Sequence, residues 1–223
     1  MIEHLLHPRI TESKDWATIL FVLAFAIIAI TKSVYENRFG DFMNLIFSDK
    51  YSKVYRDGSH LKGSFTISLF FVQVISFAFF IQLSLSFFGF GSKTDLILYI
   101  QIITFLLFFV LSKYLIEKII ATAFHIEEFV EQFNLQKVTY RTYIGLFILP
   151  INIILFYYDT ISRNIPLIII YIVLSINVLT YFISIKKYQQ LIFSKMFYFI
   201  LYLCALEIAP YFFMFFMFKK GGT

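Results

Sequence analysis

The sequence predicts an all-α integral membrane protein: a bundle of six transmembrane helices with one interfacial amphipathic helix, organised as a single domain over residues 1–223. Three observations carry that expectation. Apolar residues make up 60% of the chain and charged residues only 15%, at a mean hydropathy of +0.80. A soluble domain is nearer half apolar and about one-quarter charged. The apolar residues are gathered into six long stretches rather than scattered. Aromatics reach 21%, with 31 Phe and 15 Tyr, and many of the Tyr stand near stretch ends, where an amphipathic ring is stable at headgroup level.

A helix rises about 1.5 Å per residue and the hydrocarbon core is roughly 30 Å thick, so about 20 residues cross it. The predicted spans cover about 16–31, 64–88, 96–116, 143–158, 165–185 and 197–218. The first, third and fourth are short, and Trp16, Lys32, Lys113, Tyr157 and Tyr158 can extend them by anchoring or snorkelling at the interface. A re-entrant fourth stretch would reduce the number to five. The segment before the first span carries Glu3, Glu12 and Asp15 in place of a basic leader, so that span is expected to be a retained anchor.

Between the first two spans, residues 38–56 place Phe39, Phe42, Met43, Ile46, Phe47, Tyr51, Val54 and Tyr55 at helical spacing, with Asp41, Asn44, Asp49, Lys50 and Lys53 mostly opposite. This predicts a helix lying on the membrane surface, and Phe39, Phe42, Met43, Ile46 and Phe47 are the candidates on it for docking a partner. Residues 124–133 show a similar two-faced pattern, which predicts a continuation of the third helix beyond the bilayer. Of the 19 Lys and Arg, six fall in the first loop, four in the third and three in the fifth. The positive-inside bias puts those loops in the cytoplasm and both termini in the periplasm.

An ionisable group deep in an apolar span costs several kcal/mol unless it is paired, protonated or wetted. Glu207, in the last stretch, is the one acid of fourteen so placed, and Pro210 follows it by three residues. Proline removes an N–H, frees the Leu206 carbonyl and favours a kink. A protonated Glu207 can donate to a carbonyl, or to Asn152 or Asn177 at comparable depth on the fourth and fifth spans. Pro150 repeats the theme by freeing the Leu146 carbonyl, for which the Asn152 amide is one possible donor. Glu207, Pro210, Asn152, Pro150 and Asn177 are therefore the functional candidates. Lys113 and Glu117, four apart, read as a pair on a solvated helix end.

Several function classes lose support. There is no dense basic block for nucleic acid, no glycine loop for phosphates, no aspartate-rich pair for diphosphate and magnesium, and no serine or paired-glutamate protease signature. His125 and Glu128 have a ligand-like spacing but nothing to complete a metal sphere. The one cysteine, Cys204, excludes an intrachain disulfide. No catalytic, cofactor-binding or metal-binding residue is expected.

The run 199–210, Phe-Ile-Leu-Tyr-Leu-Cys-Ala-Leu-Glu-Ile-Ala-Pro, resembles the C-terminal signature of domain of unknown function 4271, a family of uncharacterised polytopic inner-membrane proteins of Bacteroidota. Further matching pieces are His7-Pro8-Arg9 ahead of Trp16, Asn37-Arg38-Phe39, Lys113 to Ile116, Phe124 with its acidic followers, Gly145, and Leu149-Pro150. The resemblance implies a bacterial inner membrane and carries no activity to transfer. The expectation is a non-enzymatic subunit or accessory factor of a cell-envelope membrane protein complex, in contact with the lipid bilayer and with other membrane or envelope proteins. The alternative is a small transporter or channel with Glu207 handling a proton or cation.

Overall fold

In the computed structural model the described residues are 14–45, 51, 54–55, 63–123, 125, 127–158 and 164–187, and they form six helices and the turns between them, with no strand. Helix α1 spans Asp15–Val34, with Asp15 in its first turn and Lys32 in its last, each opposing the partial charge of the helix end it occupies. Tyr35 leaves the helical region, at φ −124° and ψ 49°, and turns the chain into the short α2, Glu36–Met43.

Helix α3, Ser64–Phe87, ends where Gly89 adopts φ +83°. The amide of Phe90 bonds to the Leu85 carbonyl at 3.0 Å and that of Gly89 to Ser86 at 3.1 Å, the paired bonds of a Schellman cap that needs a left-handed residue at this position. Asp95 then opens α4, Leu96–Ala123, its carboxylate accepting from the amides of Ile97 and Leu98 at 2.9 and 3.2 Å. After a reversal around His125 comes α5, Glu127–Tyr157, and then α6, Asn164–Lys187.

Four of these helices, α1, α3, α4 and α5, are long and apolar enough to cross a membrane, and α6 carries a shorter apolar run, Ile165–Thr180. The described part of the chain is thus all-helical, and its long apolar helices mark a membrane-embedded protein. Helix α3 is its hub, packing most extensively on α5 and next on α1 and α4. More than half of the apolar window of α3 is buried and half of that of α5, against almost none of α4. Ile97, Ile100, Phe105, Phe108 and Leu111 of α4 point outward, as suits side chains whose solvent is lipid.

One end of the bundle is closed by aromatic packing. Phe79, fully buried, stacks on Phe21 at 4.2 Å between ring centres, lies 4.5 Å from Tyr99 and 5.8 Å from Trp16, and meets Phe156 edge-on at 5.9 Å. The Trp16 indole donates to the Thr94 carbonyl at 3.2 Å, tying the start of α1 to the turn before α4. The opposite end is built on Phe42, which meets Tyr51, Phe65 and Tyr143 edge-on at 5.6 to 6.0 Å.

Two expectations are corrected by the structure. The expected continuation of the third span over 124–133 is not seen in the described residues, because α4 stops at Ala123 and His125, at φ +53°, turns the chain. The described part of 124–133 belongs to the start of α5, a 31-residue helix that holds all of the stretch 143–158 except Tyr158. The surface helix expected over 38–56 is not continuous: α2 ends at Met43, and Asn44 and Leu45 form a turn. The stretch 197–218 lies outside the described residues.

Candidate functional site

A run of buried polar side chains lies along the α3–α5 contact. Gln73 and Ser76 stand one turn apart on α3 and face Thr142, Gly145 and Asn152 of α5. The Ser76 hydroxyl donates to the Gly145 carbonyl at 2.7 Å, and the Thr142 hydroxyl donates to Gln73 Oε1 at 2.8 Å. Asn152 Nδ2 donates to the Ser76 carbonyl at 2.7 Å and approaches its hydroxyl at 3.4 Å. All five residues are buried. From Thr142 to Asn152 the seam runs about 15 Å along α5, half the thickness of a hydrocarbon core.

Gly145 is what lets the two helices come this close. A Cβ added there would lie 3.1 Å from the Gln73 Cα, against backbone that cannot swing aside. Because the helices approach so tightly, a hydroxyl as short as that of Ser76 reaches a carbonyl on the other helix. Asn152 Oδ1 is buried and has no hydrogen-bond partner among the described residues.

A second polar group lies on the opposite half of α5. Lys137 Nζ pairs with Glu117 Oε1 of α4 at 3.4 Å, both side chains being buried, and the ammonium sits 4.9 Å from the centre of the Phe133 ring. Lys113 is also buried, so the expected solvated end of the third span is instead an interior surface of the α4–α5 hairpin. Gln132, Asn134, Gln136 and Thr139 are buried nearby on α5, and neither polar atom of the Gln136 amide has a hydrogen-bond partner.

The sequence-based candidates fare differently. Asn152 is central to the seam, but it reaches across to α3 and does not serve the Leu146 carbonyl freed by Pro150. Pro150 lies within α5 on its exposed side. Asn177 is half-buried and donates to the Val173 carbonyl of its own helix at 2.8 Å. Phe39 and Phe42 are buried in the chain's own core, Phe42 at 1% exposure, while half-buried Met43 offers its carbonyl to the Tyr143 hydroxyl at 3.3 Å. Ile46, Phe47, Glu207 and Pro210 lie outside the described residues.

Gln73, Ser76 and Thr142 were not singled out by the sequence reading. Gln73 and Ser76 have a signal, since they are polar residues three apart inside a long apolar stretch. Glu117 with Lys137 becomes visible only once the reversal at His125 is known.

Residues 17–218 match the family described as Domain of unknown function (DUF4271). The chain belongs to the DUF4271 family. The match begins inside α1 and runs past α6, so the DUF4271 domain contains both the seam and the Glu117–Lys137 pair. No curated protein and no solved structure matches the chain.

Chemically, the seam consists of amides, hydroxyls and main-chain carbonyls, and none of the side chains bonded along it titrates near neutral pH. Such a set can fix helices in register. It has no general acid or base with which to move a proton.

Proposed function

We propose that this DUF4271 protein is a non-enzymatic, multi-pass protein of a bacterial inner membrane that serves as a subunit or accessory factor of a cell-envelope complex. It crosses the bilayer six times, with both termini in the periplasm. The observation that carries the reading is the use made of the deep polar groups. Ser76, Gln73, Thr142 and Asn152 bond α3 to α5, so the polar groups of this contact are spent on joining two helices. A partner would meet the face of α2 left outside, where Glu36, Asn37, Gly40 and Asn44 are exposed, because Phe39 and Phe42 are used within the chain. Affinity purification after mild detergent extraction, read by mass spectrometry, is expected to recover a partner in fixed stoichiometry. A chain that purifies alone from such extracts would remove the reading.

One observation favours the transporter alternative: the buried Asn152 Oδ1 is an acceptor with no donor. A protonated Glu207 would be a suitable one, and a carboxyl that gave and regained that proton could couple to an ion. Folded Glu207→Gln protein that supports growth and envelope function as well as the wild type would end that alternative.

A further inference from the structure

Arg38 sits where the chain passes between its first two long helices, and its surroundings are unusual for a cation. Its guanidinium carbon lies 4.5 Å from the centre of the Phe65 ring and 4.9 Å from that of Tyr55. Nη2 donates to the Thr66 hydroxyl at 3.3 Å and, more weakly, to the Tyr51 hydroxyl at 3.5 Å. No carboxylate among the described residues pairs with it, and Nε is buried without a hydrogen-bond partner. Rings and hydroxyls hold a guanidinium in place, but none of them neutralises it.

Tyr51 does not supply the missing charge. Burial raises its hydroxyl above the ordinary tyrosine range and outweighs the pull of Arg38, so it remains neutral at physiological pH. The main chain makes the local excess of positive potential larger. Phe65 and Thr66 lie in the first turn of α3, which has no acid and whose N-cap, Gly63, offers no side-chain acceptor. The positive end of a 24-residue helix therefore faces the same region as the arginine.

The position along the membrane normal fixes what kind of anion is at hand. Ser64 and Phe87, the ends of α3, are about 35 Å apart at 1.5 Å per residue, slightly more than a hydrocarbon core. Arg38 is thus at the level of lipid phosphates, and it is only half-buried. Its hydrogen bonds to described residues use Nη2, which leaves the donors of Nη1 uncommitted among them.

We propose that Arg38, held between Phe65 and Tyr55, binds the phosphate of an anionic membrane lipid at the surface where α3 meets the bilayer. The rings fix the plane of the fork, and the phosphate supplies the charge that the protein omits. The lipid becomes a structural ligand clamping α2 to the start of α3.

The test uses the purified full chain, native mass spectrometry and thermal unfolding, with phosphatidylglycerol or diacylglycerol of the same acyl chains added back. Wild-type protein is expected to retain phosphatidylglycerol and to unfold at higher temperature with it, while diacylglycerol does neither. Arg38→Gln is expected to weaken retention about tenfold, the scale of one charge-assisted hydrogen bond. Arg38→Lys, which keeps the charge but loses the fork, should fall between the two. Equal retention of the two lipids by the wild type would overturn the proposal, and this comparison decides the matter even if Arg38→Gln does not fold. So would release of the lipid by inorganic phosphate, which would assign the site to the free ion. Undiminished phosphatidylglycerol binding by folded Arg38→Gln would overturn it as well.

Discussion

At Gly145 a hydrogen atom stands where every other residue carries carbon, and the space beyond it belongs to the Gln73 backbone. Gly145→Ala must part α3 and α5 by a few tenths of an ångström, which stretches the Ser76 bond to the Gly145 carbonyl. We expect a loss of about 1–3 kcal/mol, read as a lowered unfolding temperature in detergent. Asn152→Leu should cost less, about 1 kcal/mol, because only Nδ2 is bonded and Oδ1 already lacks a partner. Gly145→Ala as stable as the wild type would show that the helices do not meet this closely. The Glu117–Lys137 pair follows different physics, since two charges withdrawn from water stabilise little as a pair yet cost much when one is removed. Lys137→Met should destabilise by about 3 kcal/mol, read as a lowered unfolding temperature in detergent. Asn152 was legible as important because it is a lone amide in an apolar run. Its partner was not, because a donor's address depends on which helix lies opposite.

The α4–α5 hairpin is the element least visible in the sequence. Only residues 124–126 separate a 28-residue helix from a 31-residue one, and neither glycine nor proline marks the break. The turn is made by His125 at φ +53°, a conformation uncommon for a residue with a Cβ. The helical pattern from Glu127 onward is present in the described residues, but it belongs to α5 and not to the helix before it. We expect His125→Gly to be tolerated and His125→Pro to unfold the hairpin, because proline is fixed near φ −65°. Circular dichroism with thermal unfolding distinguishes the two, and a stable His125→Pro protein would refute the turn. In the same way, Phe39 and Phe42 were rightly placed on one face of α2. Periodicity cannot say whether such a face meets a partner, lipid or the chain itself, and here Phe65 and Tyr143 cover it.

For the molecule as a whole, composition pointed to a membrane-embedded protein, because its apolar share lies above and its charged share below those of soluble domains. Hydropathy located α1, α3 and α4 well, since lipid rewards uniform apolar runs whatever lies beside them. It saw less of α5, whose first half carries buried polar side chains that meet protein rather than lipid. The account rests on one claim, that the deep polar groups lock helices together and do not line a route for a solute. The most direct test is the water accessibility of Ser76. In a background with Cys204→Ser, Ser76→Cys protein in intact membranes is treated with a charged, membrane-impermeant thiol reagent, with Ser92→Cys as an exposed reference. The account requires Ser92→Cys to react promptly and Ser76→Cys to react only after denaturation. Labelling of folded Ser76→Cys at a rate near that of the reference would reveal a water-filled path to the seam and contradict the account.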